Sequence, residues 1–233
     1  GRQDVDLCRR QNPQIPRQVV VQEATVLFSG GMDSTLILHQ CLAEWRGACD
    51  KLRKGRNIKN TITRVHAVSF AYGQRHHREL DFAARYLEGL GKVTHQIVHL
   101  DFDWLRCSLL RSHRGFNPDE TPVIPGRNSI MISIAASIAM ERGSQMVFIG
   151  CNKTDWEVFP DCRPLYMRAI NEVTLLQGGI HLIAPLIGMT KKDIVEAGKQ
   201  HNIDWSKTWS CYKGEKEPCD ECAACKERTK AGV

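Results

Sequence analysis

The chain has 233 residues, 42% hydrophobic and 25% charged, the proportions of a globular protein long enough to bury one substantial core. Its net charge of +6 fits a polyanionic small ligand or an RNA, and equally a plain basic surface. The longest near-apolar run, 130–140, is too short to span a bilayer and no cationic-then-apolar leader is present, so neither membrane insertion nor secretion is expected.

In chain order, residues 1–18 are polar, hold Pro13 and Pro16 and lack any period, which predicts an arm, with 19–21 as a short edge strand. Thr25 to Phe28 is β-branched and aromatic, a buried strand. Leu36, Ile37, Leu38, Cys41 and Leu42 have helical spacing. Between them lies Ser29-Gly30-Gly31-Met32-Asp33-Ser34-Thr35. A strand, a paired-glycine turn and a helix N-terminus make an anion site, because glycine lets backbone N–H groups approach closely and the first helical N–H groups are unpaired. Phe28 to Thr35 is therefore expected to surround phosphates, with hydroxyls from Ser29, Ser34 and Thr35. Asp33 would repel phosphate unless a cation intervenes, which marks it as a Mg²⁺ ligand. A lone Gly-Gly turn is commonly no more than a turn; the full pattern at a strand-to-helix junction is far more specific. The lysine of a phosphate-binding G-x-x-x-x-G-K-[ST] loop is absent.

Residues 46–63, rich in Lys, Arg, Asn and Gly, predict a solvated loop, followed by a second strand at 65–70. The next loop, Tyr72 to Glu79, carries Arg75 and His76, which could hold phosphates, and Tyr72 and Gln74, which could meet a base edge; Arg78 reads as solvated. Leu80, Ala83, Ala84, Leu87 and Leu90 form the apolar face of a helix closed by Gly91, and a third strand covers 96–100. The proline-containing stretch 101–127 predicts a lid, a binding loop or a disordered segment, and Asn128 a cap for the helix 129–142. A fourth strand at 146–150 leads into a loop holding Asp155, Phe159, Asp161 and Arg163. Carboxylates beside aromatics suit a heterocycle with an amino–imino edge, and an arginine suits an anionic substituent; in isolation such a loop is more often only surface. A helix at 164–176, a fifth strand at 181–184 and a helix opened by the capping box Thr190–Asp193 complete the series.

Alternating strands and helices predict an α/β, Rossmann-like, mostly parallel sheet with helices on both faces over residues 19–205. In such folds ligands sit at the carboxyl ends of strands, so the loops after Phe28, Phe70 and Gly150 should share one rim. Cys211, Cys219, Cys222 and Cys225, spaced C-x7-C-x2-C-x2-C, offer four thiolates in one short segment. That set satisfies tetrahedral Zn²⁺ with no open position, so a structural zinc site over 206–233 is expected, in a reducing cytoplasm. The other six cysteines read as core or surface residues, although Cys162 lies in the candidate substrate loop; His39, His66 and His201 read as structural.

The Ser-Gly-Gly-x-Asp-Ser loop resembles the signature of the ATP pyrophosphatase superfamily, whose members split ATP between the α- and β-phosphates and transfer AMP to a substrate oxygen. Together with Ser-Phe-Ala-Tyr-Gly-Gln-Arg-His at 69–76, Pro-Gly-Arg-Asn at 125–128, Phe-Pro-Asp-Cys-Arg-Pro at 159–164 and Trp-Ser-Cys-Tyr at 209–212, it resembles the 7-cyano-7-deazaguanine synthase (QueC) family from Thr25 to about Ala231. The resemblance implies a homodimer with a Rossmann-like core and structural zinc, converting 7-carboxy-7-deazaguanine with ATP and ammonia into the nitrile. It implies that Ser29, Gly30, Gly31, Asp33 and Ser34 hold pyrophosphate and Mg²⁺, with Asp33, Arg75 and His76 nearest the chemistry. Arg127 and Asn128, with the 155–163 loop, would hold the base and its carboxylate. No glutaminase segment is present, which implies free ammonia.

The chain departs from the family where Asp155 is followed by Trp-Glu-Val-Phe instead of Tyr-Ser-Gly-Tyr, and where Gly126 replaces alanine. Those departures suit a second reading, a relative that joins a deazaguanine to another acceptor such as a protein amine in antiphage defence. A third, the non-enzymatic RNA-binding zinc module, is permitted by charge and cysteines and opposed by the intact phosphate loop.

Overall fold

The computed structural model describes residues 21–54, 61–105, 107, 109–110 and 122–233. The expected arm and parts of the 46–63 and 101–127 stretches lie outside the described residues. Five strands, β1 (Val21–Leu27), β2 (Thr61–Ala71), β3 (Val93–His99), β4 (Met146–Phe148) and β5 (His181–Ile183), form one sheet in the order β3-β2-β1-β4-β5. Every neighbouring pair is parallel. Chain order therefore reverses between β1 and β4, and the crevice at their carboxyl ends is where a ligand is expected in this topology.

The helices are α1 (Met32–Arg53), α2 (Arg78–Leu90), α3 (Arg127–Glu141), α4 (Pro164–Gly178), α5 (Lys191–Lys199) and α6 (Ala223–Lys230). They cover both faces because β1 and β2 bury apolar side chains on both. Ala24, Val26, Val65 and Ala67 pack with α1, α2 and α5, whereas Leu27, Val68 and Phe70 pack with α3 or the loops near it. Alternate residues of a strand point to opposite faces, so one strand supplies both cores.

Several boundaries differ from expectation. Of the predicted edge strand at 19–21, residues 19 and 20 lie outside the described residues, and Val21 opens β1, the central strand. Residues 46–53 continue α1 rather than forming a loop, and Ala48 is buried, which gives that basic stretch one packed face. β2 begins at Thr61, four residues before the predicted start, and pairs with β1 from Thr61 to Val68. Asn128 does not cap α3; Gly126 does, with φ +70°, and Asn128 lies within the first turn with its side chain turned inward. The capping box of Thr190 and Asp193 opens α5 as predicted.

Candidate active site

The turn after β1 is built around one hydroxyl. Ser34 Oγ accepts from the Ser29 N–H at 3.3 Å, lies 3.3 Å from Ser29 Oγ and donates to the Gly31 carbonyl at 3.2 Å. Gly30 has φ +80°, and a Cβ there would sit 2.7 Å from the Glu79 carbonyl and 2.9 Å from the Ala83 nitrogen. The turn thus packs on the backbone of α2 with no room for a side chain. Across the switch point, a Cβ on Gly150 would lie 2.9 Å from Asp33 Cβ and 3.2 Å from the Ser34 nitrogen. Two glycines, one on each side, let β4 and α2 close around the start of α1.

A cavity of about 270 Å³ opens at this point, lined on one side by Ser29, Gly31, Asp33 and Ser34. Lys191, the first residue of α5, donates from Nζ to Asp33 Oδ2 at 2.6 Å. Asn152 Nδ2 donates to the same oxygen at 3.2 Å and to Asp155 Oδ2 at 2.6 Å, while Asn152 and Asp155 also close a capping box on the 3₁₀ turn Lys153–Trp156. Burial alone would lower the Lys191 ammonium, but Asp33 and Asp155 outweigh it and hold its pKa above the usual value. Asp155 moves the other way: burial, opposed by Lys191, pushes its carboxyl up to about 6. Asp33 Oδ1 is buried without a hydrogen-bond partner. A bare carboxylate oxygen beside a phosphate-type turn fits a hard divalent cation, which takes one or two carboxylates and completes its shell with phosphate and water.

The opposite wall is a buried polar cluster on β2, α2 and α3. Tyr72 Oη accepts from Arg127 at 3.4 Å and lies 3.2 Å from His76 Nε2, which is 3.4 Å from Glu79 Oε1. Burial drives His76 down to about 3 and Glu79 up to about 8, so at neutral pH the two stand side by side uncharged and not as an ion pair. Burial likewise raises Tyr72, to about 12. It works against the Arg127 charge, yet Tyr72, Asp161 and Glu79 outweigh it and keep the guanidinium protonated. His76 Nδ1 is a second buried atom of this cavity without a partner.

The structure therefore gathers Phe28, Ser29, Gly31, Asp33, Ser34, Tyr72, His76, Arg127, Asn128, Asp155 and Phe159 around one cavity, and leaves other expected residues outside its lining. Gly30 shapes the turn without lining it. Thr35 is fully buried behind the turn, because the helix has already rotated it into the core. Gln74 meets no ligand rim: it is 1% exposed, accepts from the Tyr72 N–H at 2.7 Å and donates to the Phe70 carbonyl and Glu79, bracing the loop from within. Arg75 sits beyond the lining, its N–H given to the Leu109 carbonyl. Arg163 is exposed and donates from Nε to the Trp156 carbonyl at 2.8 Å, and Asp161 stands behind Cys162. Glu79, Lys191, Asn152 and Tyr212 line or complete the site and were not singled out in the sequence. Lys191 was readable only as part of a cap, although its loop follows β5 on the same rim.

The sulfur atoms of Cys211, Cys219, Cys222 and Cys225 all lie within 4.8 Å of one another, as four ligands of one metal require. The Cys219 and Cys222 N–H groups donate to the sulfurs of Cys211 and Cys219, both at 3.4 Å. This segment is no appendage. The Trp209 N–H donates to the Gly30 carbonyl at 3.0 Å, and Arg228 clamps the Trp205 carbonyl and Thr208, so the cysteine cluster holds the phosphate-type turn from behind. No helix among the described residues is long and apolar enough to cross a membrane.

Comparison with known proteins assigns the chain to a family. The family model described as queuosine biosynthesis protein QueC matches residues 23–232. The 7-cyano-7-deazaguanine synthase of Thermoplasma acidophilum is 37% identical over 224 residues, 90% of this chain and 87% of that protein. Those of Trichodesmium erythraeum (36%, 90% and 95% covered) and Pseudoalteromonas atlantica (33%, 91% and 94% covered) are similarly related. Among solved structures, the U34-tRNA thiolase NcsA of Methanococcus maripaludis aligns at 16% identity and a TM-score of 0.46, covering 97% of this chain and 70% of its own. A family model spanning residues 23–232 and relatives 33–37% identical over about nine-tenths of the chain leave one conclusion: the chain belongs to the QueC family.

Proposed function

We propose that the protein is an ATP-dependent carbon–nitrogen ligase that converts 7-carboxy-7-deazaguanine and ammonia into 7-cyano-7-deazaguanine. The observation that carries this reading is the single cavity joining a phosphate-type turn and a bare Asp33 oxygen to the buried guanidinium of Arg127. The name shared by the curated relatives supports it. A carboxylate resists ammonia until one oxygen becomes a leaving group; transfer of AMP supplies that, and a second activation of the amide oxygen allows dehydration to the nitrile.

In this reading the Gly31 and Ser34 region and the Ser29 hydroxyl receive pyrophosphate, and the Lys191 ammonium offsets its charge. A Mg²⁺ held by Asp33 would screen the phosphates from that carboxylate. Arg127 pairs with the substrate carboxylate, a fork-to-fork geometry suited to guanidinium. Asp155 accepts from the amino–imino edge of the base, and Tyr72 and Phe159 bound the ring. Zinc on the four thiolates, in the reducing cytoplasm they require, fastens the C-terminal segment to the turn. The exposed apolar face of α4, with Leu165, Val173 and Leu176, supports a homodimer. The decisive experiment incubates the protein with ATP, Mg²⁺, the carboxy base and ammonium, and follows AMP and the base by mass spectrometry. Stoichiometric AMP with nitrile product is expected; nitrile formation absent under all ammonium concentrations would end this reading.

A further inference from the structure

One nucleophile in the cavity wall has no part in the chemistry above. Cys162 is 6% exposed, yet it lines the cavity at the end of the 3₁₀ turn Pro160–Cys162, just before α4. Three side chains converge on its sulfur. Asn128 donates to it from Nδ2 at 3.6 Å. The Cys151 thiol is hydrogen-bonded to it, and this contact, together with burial, raises Cys151 well above an ordinary thiol. The Cys162 thiol in turn faces Asp161 Oδ1 at 4.0 Å. A sulfur with a carboxylate ready for its proton and two donors on its lone pairs is arranged as a nucleophile, since the thiolate is the reactive form. The same cavity contains two buried polar atoms without protein partners, Asp33 Oδ1 and His76 Nδ1, as expected where a ligand completes the wall.

We infer that Cys162 takes the activated acyl group from AMP as a thioester before ammonia arrives. This rests on the proposed adenylation of the carboxylate. In the first step the Cys162 proton passes to Asp161 and sulfur attacks the acyl carbon. A C–S bond forms, the C–O bond to the phosphate breaks, and AMP leaves with the electron pair. In the second step ammonia attacks the thioester, the C–S bond breaks and a proton from nitrogen returns to sulfur, giving the amide and free Cys162. Asp161 releases its proton to solvent, so the sum is acyl adenylate plus ammonia giving amide, AMP and one proton. The advantage is retention. Two activations must use one phosphate-type turn, and a thioester keeps the base in place while AMP departs and a second ATP enters. The arrangement also gives Asp161 a place, since it stands behind the sulfur and not in the cavity lining.

The test uses the full-length protein, ATP, Mg²⁺ and 7-carboxy-7-deazaguanine with ammonium removed, quenched in acid and weighed intact. The expected result is AMP together with a protein heavier by the acid less one water, cleaved by hydroxylamine and mapped to Cys162. Cys151→Ala should keep the adduct and Cys162→Ala should lose both adduct and amide production. Asp161→Asn should slow labelling of Cys162 by iodoacetamide in the resting protein, a readout that does not depend on turnover. AMP formed by wild type with no adduct would overturn the thioester and leave adenylation standing. No AMP at all would overturn adenylation and the thioester with it. Because the first measurement is made on wild type, misfolding of a variant cannot decide the outcome.

Discussion

Lys191 and Asp33 are 158 residues apart in sequence, and their Nζ and Oδ2 atoms are 2.6 Å apart in the fold. The contact joins the start of α5 to the start of α1 and supplies a cation at the phosphate-type turn, the role a lysine inside the loop plays in other nucleotide sites. It also neutralises one of two carboxylates, Asp33 and Asp155, that share Asn152 between them.

Replacing Lys191 by methionine keeps the side-chain length and removes the charge. Both side chains of the pair are less than one-fifth exposed, so the loss leaves Asp33 buried beside Asp155. The expected cost is about 3 kcal/mol of stability by urea denaturation, with AMP formation lowered at least about tenfold. Unchanged AMP formation in a folded variant would remove Lys191 from the phosphate site.

Gly30→Ala and Gly150→Ala test the close approaches on either side of the turn. Gly30 combines φ +80° with backbone atoms at 2.7 and 2.9 Å from the added Cβ, whereas Gly150 meets a side-chain carbon and a nitrogen at normal φ. Gly30→Ala should be the more damaging, by roughly 1–3 kcal/mol, because neither strain nor contact can relax. Thermal melts of the two variants side by side check the order.

The substrate pole separates two arginines that look alike in sequence. Arg127 is held by Tyr72 inside the cavity; Arg163 is exposed and braces a backbone carbonyl. Arg127→Ala should raise the KM for the carboxy base more than about tenfold, from loss of a charged hydrogen bond of roughly 1.5–3 kcal/mol. Arg163→Ala should leave it within a few-fold. Equal effects would show that the exposed arginine reaches the substrate after all.

Glu79 predicts a pH dependence of stability. Its carboxyl titrates near 8 in the folded chain, against a usual value of 4.5, because it is buried. Below about pH 4.5 it is protonated folded or unfolded and costs nothing. Between 4.5 and 8 the unfolded chain binds fewer protons than the folded one, so stability falls as pH rises. His76, depressed to about 3, acts in the opposite sense only between about 3 and 6.5, where the unfolded chain binds more protons. From pH 6.5 to 8 the Glu79 effect is unopposed by His76. Glu79→Gln, which can still accept from Gln74, should remove that decline and exceed wild-type stability by more than about 1 kcal/mol at pH 8. Denaturation curves for both proteins at pH 5, 6.5 and 8 decide it; parallel pH dependences would show that Glu79 is ionised in the fold.

Cys222→Ser should abolish the proposed zinc binding, measured as metal per chain against wild type, and lower the melting temperature, because a hydroxyl poorly replaces a thiolate. Trp209 ties this segment to the Gly30 carbonyl, so ATP affinity should fall together with metal content. Loss of zinc with unchanged ATP affinity would uncouple the two sites.

What the sequence determined by itself lies within short spans. The strand-turn-helix at 25–42 could be read because glycines, hydroxyls and apolar spacing there answer the backbone demands of a few neighbouring residues, and the capping box at Thr190 and the four cysteines were legible for the same reason. The extension of α1 through 46–53 was not, since a charged surface hides the one face that packs. Gln74 and Arg163 look like ligand residues in a rim loop, and only packing shows that one turns into the core and the other to solvent. Arg127 and Tyr72, 55 residues apart, and Lys191 and Asp33 meet because the strand order β3-β2-β1-β4-β5 brings separate loops to one crevice. Strand order depends on which strand edges pair across the whole chain, a non-local choice no window of sequence contains, and the burial that moves Glu79 and Asp155 from their ordinary pKa values exists only after that choice is made.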